Sequence, residues 1–165
     1  PLLLQACYAD CTGAFVCLFM KSVNKSVLIW YSPQEMFALV QDVAHYPEFL
    51  PWCSHSQVLE ESEQGMTAEI GMSMAGLRKS FVTRNAYEDH HKINMRLVKG
   101  PFSKLEGNWL FHPVGDGSQR ACKVELQLVY GFDSVALATL VGPIFDRIAN
   151  SMVDAFIQRA EKVYG

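Results

Sequence analysis

A chain of 165 residues, 50% hydrophobic and 19% charged, carries one ordinary domain's worth of sequence. Folding at this length buries roughly 68–70% of the unfolded chain's surface, with no need of disulfides or a structural metal. The formal net charge of -3 excludes a global attraction to nucleic acid or anionic membrane, and no DNA partner is expected.

The five cysteines, Cys7, Cys11, Cys17, Cys53 and Cys122, match no common zinc spacing. An odd, scattered set fits a reducing cytosol and inert thiols better than a secreted disulfide framework. Residues 1–19 are apolar, hold no Lys or Arg, and precede the first methionine, Met20. A signal peptide needs a positive n-region and a membrane span needs about 20 unbroken apolar residues. Gln5, Asp10, Thr12 and Gly13 interrupt this run. Residues 1–19 therefore read as an N-terminal extension outside the fold, and 20–165 as the domain.

From Val23 to Tyr31 a strand is expected, with Val23, Val27, Ile29 and Tyr31 on one face and Lys25 as the exception. Ser32-Pro33-Gln34-Glu35 is a helix start: Ser32 caps, Pro33 suits the first turn and Glu35 completes a capping box. That helix buries Met36, Phe37, Leu39 and Val40 and ends before Tyr46-Pro47. A loop or helical turn through Phe49-Leu50-Pro51 follows. Met66, Ala68, Ile70, Met72 and Met74 then alternate with smaller or polar residues, and Gly76 supplies a turn. Leu77 to Tyr87 continues as a strand with Phe81 inward; Glu88 to His91 reverses the chain; Ile93, Met95 and Leu97 alternate again. After Gly100-Pro101, Leu105, Gly107, Trp109 and Phe111 share a face. The Gly115-Asp116-Gly117 turn leads to Cys122, Val124, Leu126, Leu128, Tyr130 and Phe132, all inward. Such meandering strands make a half-buried antiparallel sheet.

Asp133 or Ser134 caps a last helix running to about Tyr164, roughly 45 Å long. Leu137, Val141, Phe145, Ile148, Met152, Phe156 and Ala160 form its apolar stripe. Gly142-Pro143 is expected to kink this helix or split off its first turns. A curved sheet gripping so long a helix is hard to fill. The inward Met66, Met72, Met74, Met95 and Met152, beside Trp109 and Phe111, suit an irregular apolar cavity, though such stripes also serve as plain core.

Three runs are not products of periodicity: Tyr46-Pro47-Glu48-Phe49-Leu50-Pro51-Trp52-Cys53; Gly100-Pro101-Phe102 followed by Leu105-Glu106-Gly107-Asn108-Trp109-Leu110-Phe111; and Ala155-Phe156-Ile157-Gln158-Arg159-Ala160. From about Ser22 to Gly165 the chain resembles the START-like superfamily (polyketide cyclases and lipid transport proteins), in the branch of the coenzyme Q-binding proteins and ribosome association toxins. The resemblance implies an α+β helix-grip fold, with a tunnel between sheet and helix that takes a hydrophobic ligand. In this branch that ligand is ubiquinone or a similar isoprenoid quinone. Phe49, Leu50, Pro51, Trp52 and Phe102 would then lie near the mouth. Leu105, Trp109, Phe111, Met152 and Phe156 would line the wall, with Met72, Met74 and Phe81 also among the ligand-binding residues.

Chemistry is harder to find. His45, His55, His90, His91 and His112 have no metal spacing, and no nucleophile elbow, P-loop or dinucleotide fingerprint occurs. No catalytic residue, metal or cofactor is expected, although some START-like relatives are cyclases or aromatases. The inward polar positions Lys79, Thr83 and Asn85 either hydrogen-bond a ligand head group or stand in water at the sheet's open end. The first functional reading is binding of a polyprenyl quinone in support of respiration, in a cytoplasmic protein that also touches the inner membrane transiently. The alternative, which the same resemblance permits, is a toxin that binds the large ribosomal subunit and blocks subunit joining. Arg78, Lys79, Arg84, Arg96, Lys99 and Lys104 are its candidate contacts.

Overall fold

Ser32 is extended, its side chain accepts from the Glu35 amide, and the Glu35 carboxylate accepts from the Ser32 amide; this capping box starts α1 (Pro33–Gln41) as the sequence predicts. The computed structural model describes the backbone of residues 6–9, 15–18 and 20–165, with side chains from Met20 onward. Strands β1 (Ala6–Ala9) and β2 (Phe15–Leu18) pair with each other in a two-stranded sheet. The expectation for the rest of 1–19 falls outside the described residues.

Seven strands form one antiparallel sheet: β3 (Lys21–Ile29), β4 (Cys53–Ser62), β5 (Gly65–Met74), β6 (Leu77–Glu88), β7 (Lys92–Lys99), β8 (Phe102–Pro113) and β9 (Cys122–Phe132). Their order is β3-β9-β8-β7-β6-β5-β4, so every neighbour but β3 follows its partner in sequence. Irregular register near Cys53, Val58, Val82 and Phe102 bends the strands, which is how an antiparallel sheet acquires curvature. Alternation predicts β5 to β9 closely. Within the seven-stranded sheet, β4 is the strand that the sequence pattern does not predict: it is an edge strand, mostly exposed, and its Ser, His, Gln and Glu carry no apolar period.

The helix α2 (Val135–Tyr164) is 30 residues long and capped by Ser134, whose side chain accepts from the Leu137 amide. Val141, Phe145, Ile148, Phe156 and Ala160 bury the predicted stripe. The split expected at Gly142-Pro143 does not occur, since the helix is continuous through Pro143. Proline in a helix interior costs about 3 kcal/mol. Val141 and Phe145, both buried, flank it, and Phe145 packs on Phe102 and Tyr130 at 5.0 and 4.7 Å between ring centres. That packing holds the turn in place.

Two glycines of the recognised runs have steric reasons. Gly100 has φ +156°, and a Cβ there would lie 2.6 Å from the Phe81 Cβ. A Cβ on Gly107 would lie 2.3 Å from the Gln127 carbonyl oxygen of the next strand.

Candidate functional site

Between the concave face and α2 lies an apolar cavity of about 50 Å³, lined by residues of the sheet, of α2 and of the segment before β4. Six of the expected binding residues reach it: Trp52, Phe81, Leu105, Trp109, Met152 and Phe156. Six others complete the lining: Met95, one of the inward methionines expected at a cavity, and Tyr46, Ile70, Leu126, Leu128 and Phe145, which the sequence does not mark as binding residues. Five of these were legible as inward positions by period. Tyr46 was not, because it sits in a 3-10 helix (Val43–Glu48), where neither strand nor α-helical period applies.

The remaining expected residues lie elsewhere. Leu50 and Met72 are buried in the core, and Met74 is half-buried at the last position of β5. Pro51 is exposed. Phe49 packs behind the wall on Tyr46 and Phe156, with the Arg159 guanidinium 5.1 Å from its ring centre. Phe102 sits behind Phe81, stacked on Phe132. Phe111 lies beyond Trp109 and meets Phe37 of α1.

The wall is held by edge-to-face aromatic contacts, the arrangement ring quadrupoles favour. Phe156 meets Tyr46 at 5.4 Å and Trp109 at 5.2 Å. The Tyr46 hydroxyl donates to the Val40 carbonyl at 2.5 Å, and full burial pushes its phenol well above the usual range. Tyr130 donates to Asp146, which also receives Lys21, so the one carboxylate ties β3, β9 and α2 together. Burial pushes the Cys53 and Cys122 thiols up to about 11, which leaves both as thiols rather than nucleophilic thiolates.

Polar atoms enter this apolar interior at β6. Thr83 is 1% exposed and Asn85 7%, on the same face as Phe81. Thr83 Oγ1 and Asn85 Oδ1 have no hydrogen-bond partner among the described residues. Buried polar atoms without partners are uncommon and costly, so each calls for an explanation. Lys79, two residues before Phe81, is exposed instead. The three polar candidates thus divide: Thr83 and Asn85 are interior, and Lys79 stands in water.

On the opposite face of the sheet, Arg84 of β6 stands directly across from Arg96 of β7, which in turn faces Glu106 of β8. Alongside runs a cross-strand row of amides, Asn94, Asn108, Gln127 and Asn24, on four neighbouring strands. Arg84, Arg96, Asn94, Asn108 and Gln127 line an open furrow of about 510 Å³. Among the described residues, no three His, Cys, Asp or Glu side chains gather into a group able to hold a metal ion.

A curved seven-stranded sheet closed by one long C-terminal helix over an apolar cavity defines the START-like helix-grip class. Residues 29–157 match the family described as polyketide cyclase / dehydrase and lipid transport, and the chain belongs to that family. It is 47% identical over 146 residues, 88% of this chain and 99% of the relative, to the ribosome association toxin RatA of Vibrio cholerae. It is 27% identical over 143 residues to the mitochondrial coenzyme Q-binding protein COQ10 homolog B of Xenopus laevis, covering 86% of this chain and 59% of that one. Among solved structures, the Zhui aromatase/cyclase of Streptomyces sp. R1128 superposes with a TM-score of 0.75 at 14% identity, covering 88% and 96% of the two chains. That last likeness is one of fold.

Proposed function

We propose that this protein works by binding rather than by catalysis, and that its principal partner is the ribosome: in the cytoplasm it associates with the large subunit and opposes subunit joining. The observation that carries this reading is the 47% identity, over nearly the whole of both chains, to a ribosome association toxin. Of the two functions read from the sequence, the alternative is therefore the better supported. The outer furrow suits it chemically. Arg84 and Arg96 offer charge to phosphates, and the amide row offers hydrogen bonds to base edges and ribose hydroxyls. Overexpression followed by sucrose-gradient sedimentation tests the reading. It expects the 70S peak to fall while free subunits accumulate and the protein co-sediments with the large subunit; an unchanged profile overturns it.

A second reading, compatible with the first, is that the cavity takes a hydrophobic ligand with a polar head, ubiquinone or a related isoprenoid. Its support is the pair Thr83 and Asn85, whose unpartnered atoms would meet a carbonyl or hydroxyl group, together with the similarity to COQ10. An isoprenoid tail exceeds the 50 Å³ of the closed cavity, so uptake requires the cavity to enlarge. Met95 and Met152, both half-buried in the lining, are the side chains best able to adapt. Organic extraction of the purified protein and mass spectrometry, run beside Met152→Trp, reads this out. Quinone in the wild type and none in the variant is expected; the same extract from both sinks it.

A further inference from the structure

The strands of the sheet are joined by hairpins that alternate between two ends of the molecule. At one end lie the β4–β5, β6–β7 and β8–β9 connections. These connections and the strand ends beside them carry Glu60, Glu61, Glu63, Glu88, Asp89 and Asp116. The arginines and lysines there are already engaged among the described residues, Lys92 by Glu88 at 3.4 Å, Arg120 by Glu35 at 2.7 Å, Arg84 by Glu60 at 3.9 Å and Lys123 by Glu125. At the other end lie the β5–β6 and β7–β8 connections and the junction of β9 with α2, where the Asp133 amide donates to the Pro101 carbonyl. This end carries Arg78, Lys79, Lys99 and Lys104. Lys104 is paired with Glu106, and Asp133 is the remaining carboxylate of these segments. Among the described residues no carboxylate is within ion-pair distance of Arg78, Lys79 or Lys99. A protein of net charge -3 is therefore polarised end to end, acidic at one set of hairpins and basic at the other.

The basic end is also where large apolar side chains stand in water. Val135 and Leu140, in the first turns of α2, are 71% and 69% exposed, and Val98, just before the β7–β8 connection, is 59% exposed. Behind them Phe81, Phe102 and Phe132 pack together, and Phe81 reaches the cavity. Exposed aliphatic residues at the same end as unpaired cations match a bilayer surface, where apolar side chains enter the headgroup boundary and lysines meet anionic lipids. An RNA surface would use the cations but gain nothing from Val135 and Leu140.

We propose that this end of the molecule docks on an anionic lipid bilayer, with Val135 and Leu140 entering it and Arg78, Lys79 and Lys99 around them. The acidic hairpins then face away from the membrane, and the Phe81 side of the cavity faces it. The interaction goes beyond ribosome association and stands without it. It needs no spanning segment, and no helix among the described residues is long and apolar enough to cross a membrane.

Vesicle flotation of the full chain tests it, with phosphatidylcholine alone and with phosphatidylcholine mixed with phosphatidylglycerol. The protein is expected to float with the anionic vesicles alone, and less as salt rises. Lys79→Glu with Lys99→Glu is expected to weaken that binding at least tenfold, on the order of what two surface lysines contribute. Val135→Asp with Leu140→Asp is expected to weaken it comparably although every lysine remains. All four positions are exposed, and thermal melts check that the variants stay folded. No flotation of the wild type, or flotation of both variants like the wild type, overturns the proposal. Variants that lose ribosome co-sedimentation and keep vesicle binding overturn it too, because the end would then be an RNA contact. The ribosome reading is judged separately, by the wild type's gradient profile.

Discussion

The same concave sheet is closed differently under its two helices. Under α1 it is packed shut: Phe37 is 2% exposed and meets Tyr87, His90 and Phe111 edge-on at 5.2 to 5.8 Å. The helix is also clamped from outside. Arg120 reaches Glu35 with Nε and Nη2 at 3.1 and 2.7 Å and lies over the Tyr31 ring, while the Tyr164 hydroxyl donates to the Glu35 carbonyl. Under α2 the large aromatics meet around a space instead of filling it. Buried polar atoms without partners run along β6 between the two halves, from Thr83 and Asn85 to the Tyr87 hydroxyl against Phe37. One half of the interior is built for stability, and the other keeps room, the first ingredient of a binding site.

The largest expected effect tests the packed half. Phe37→Ala should destabilise the protein by about 3–5 kcal/mol, read by denaturant unfolding. A loss under about 1 kcal/mol would mean that the α1 side is no tighter than the α2 side. Next comes the clamp. The hydrogen bonds from Arg120, opposed by burial and helped by the Ser32 amide, hold the Glu35 carboxyl down from its ordinary 4.5 to about 2. The folded state thus favours the charged carboxylate. Its stabilisation is present above pH 4.5 and lost as pH falls toward 2. Arg120→Ala should lower stability at neutral pH and flatten the acid limb of a stability-against-pH curve, the exposure of Arg120 limiting the size.

On the hollow half the sign reverses. Thr83→Val removes a buried, unpartnered hydroxyl and should raise the melting stability of ligand-free protein by about 1 kcal/mol, while weakening any ligand that uses the hydroxyl. A drop in ligand-free stability would show that the hydroxyl has a partner inside the fold. Smallest is Met152→Leu, a volume-conserving swap beside space that can absorb it. It is expected to cost under about 1 kcal/mol by thermal melt.

Much of this was legible in the chain. The alternation in β5 and β9, the Ser32-Glu35 capping box and the α2 stripe are local patterns, and the structure repeats them nearly residue for residue. The Gly100-Pro101-Phe102 and Leu105-Glu106-Gly107 runs marked the family, and their glycines sit where a Cβ would strike a neighbouring strand. The site was half legible. Period tells which side chains point inward, so Trp109 and Met152 were found, but inward positions such as Phe102 and Phe111 also pack behind other rings. Which inward residue meets the cavity depends on curvature, and curvature depends on bulges and on strand partners distant in sequence.

Sequence alone determined β3, β5 to β9, the two α-helices, the caps and the apolar faces, because each rests on residues a few positions apart, and its three non-periodic runs pointed to the family. Tertiary structure alone decided the rest. Edge strand β4 forms because β5 offers it a ladder, and α2 runs through Pro143 between the packed Val141 and Phe145. Thr83 and Asn85 lose their water because they fall on the buried face of β6, and the charges sort to two ends because the hairpins alternate. Each of these depends on groups brought together from far apart in the chain, which no local period records.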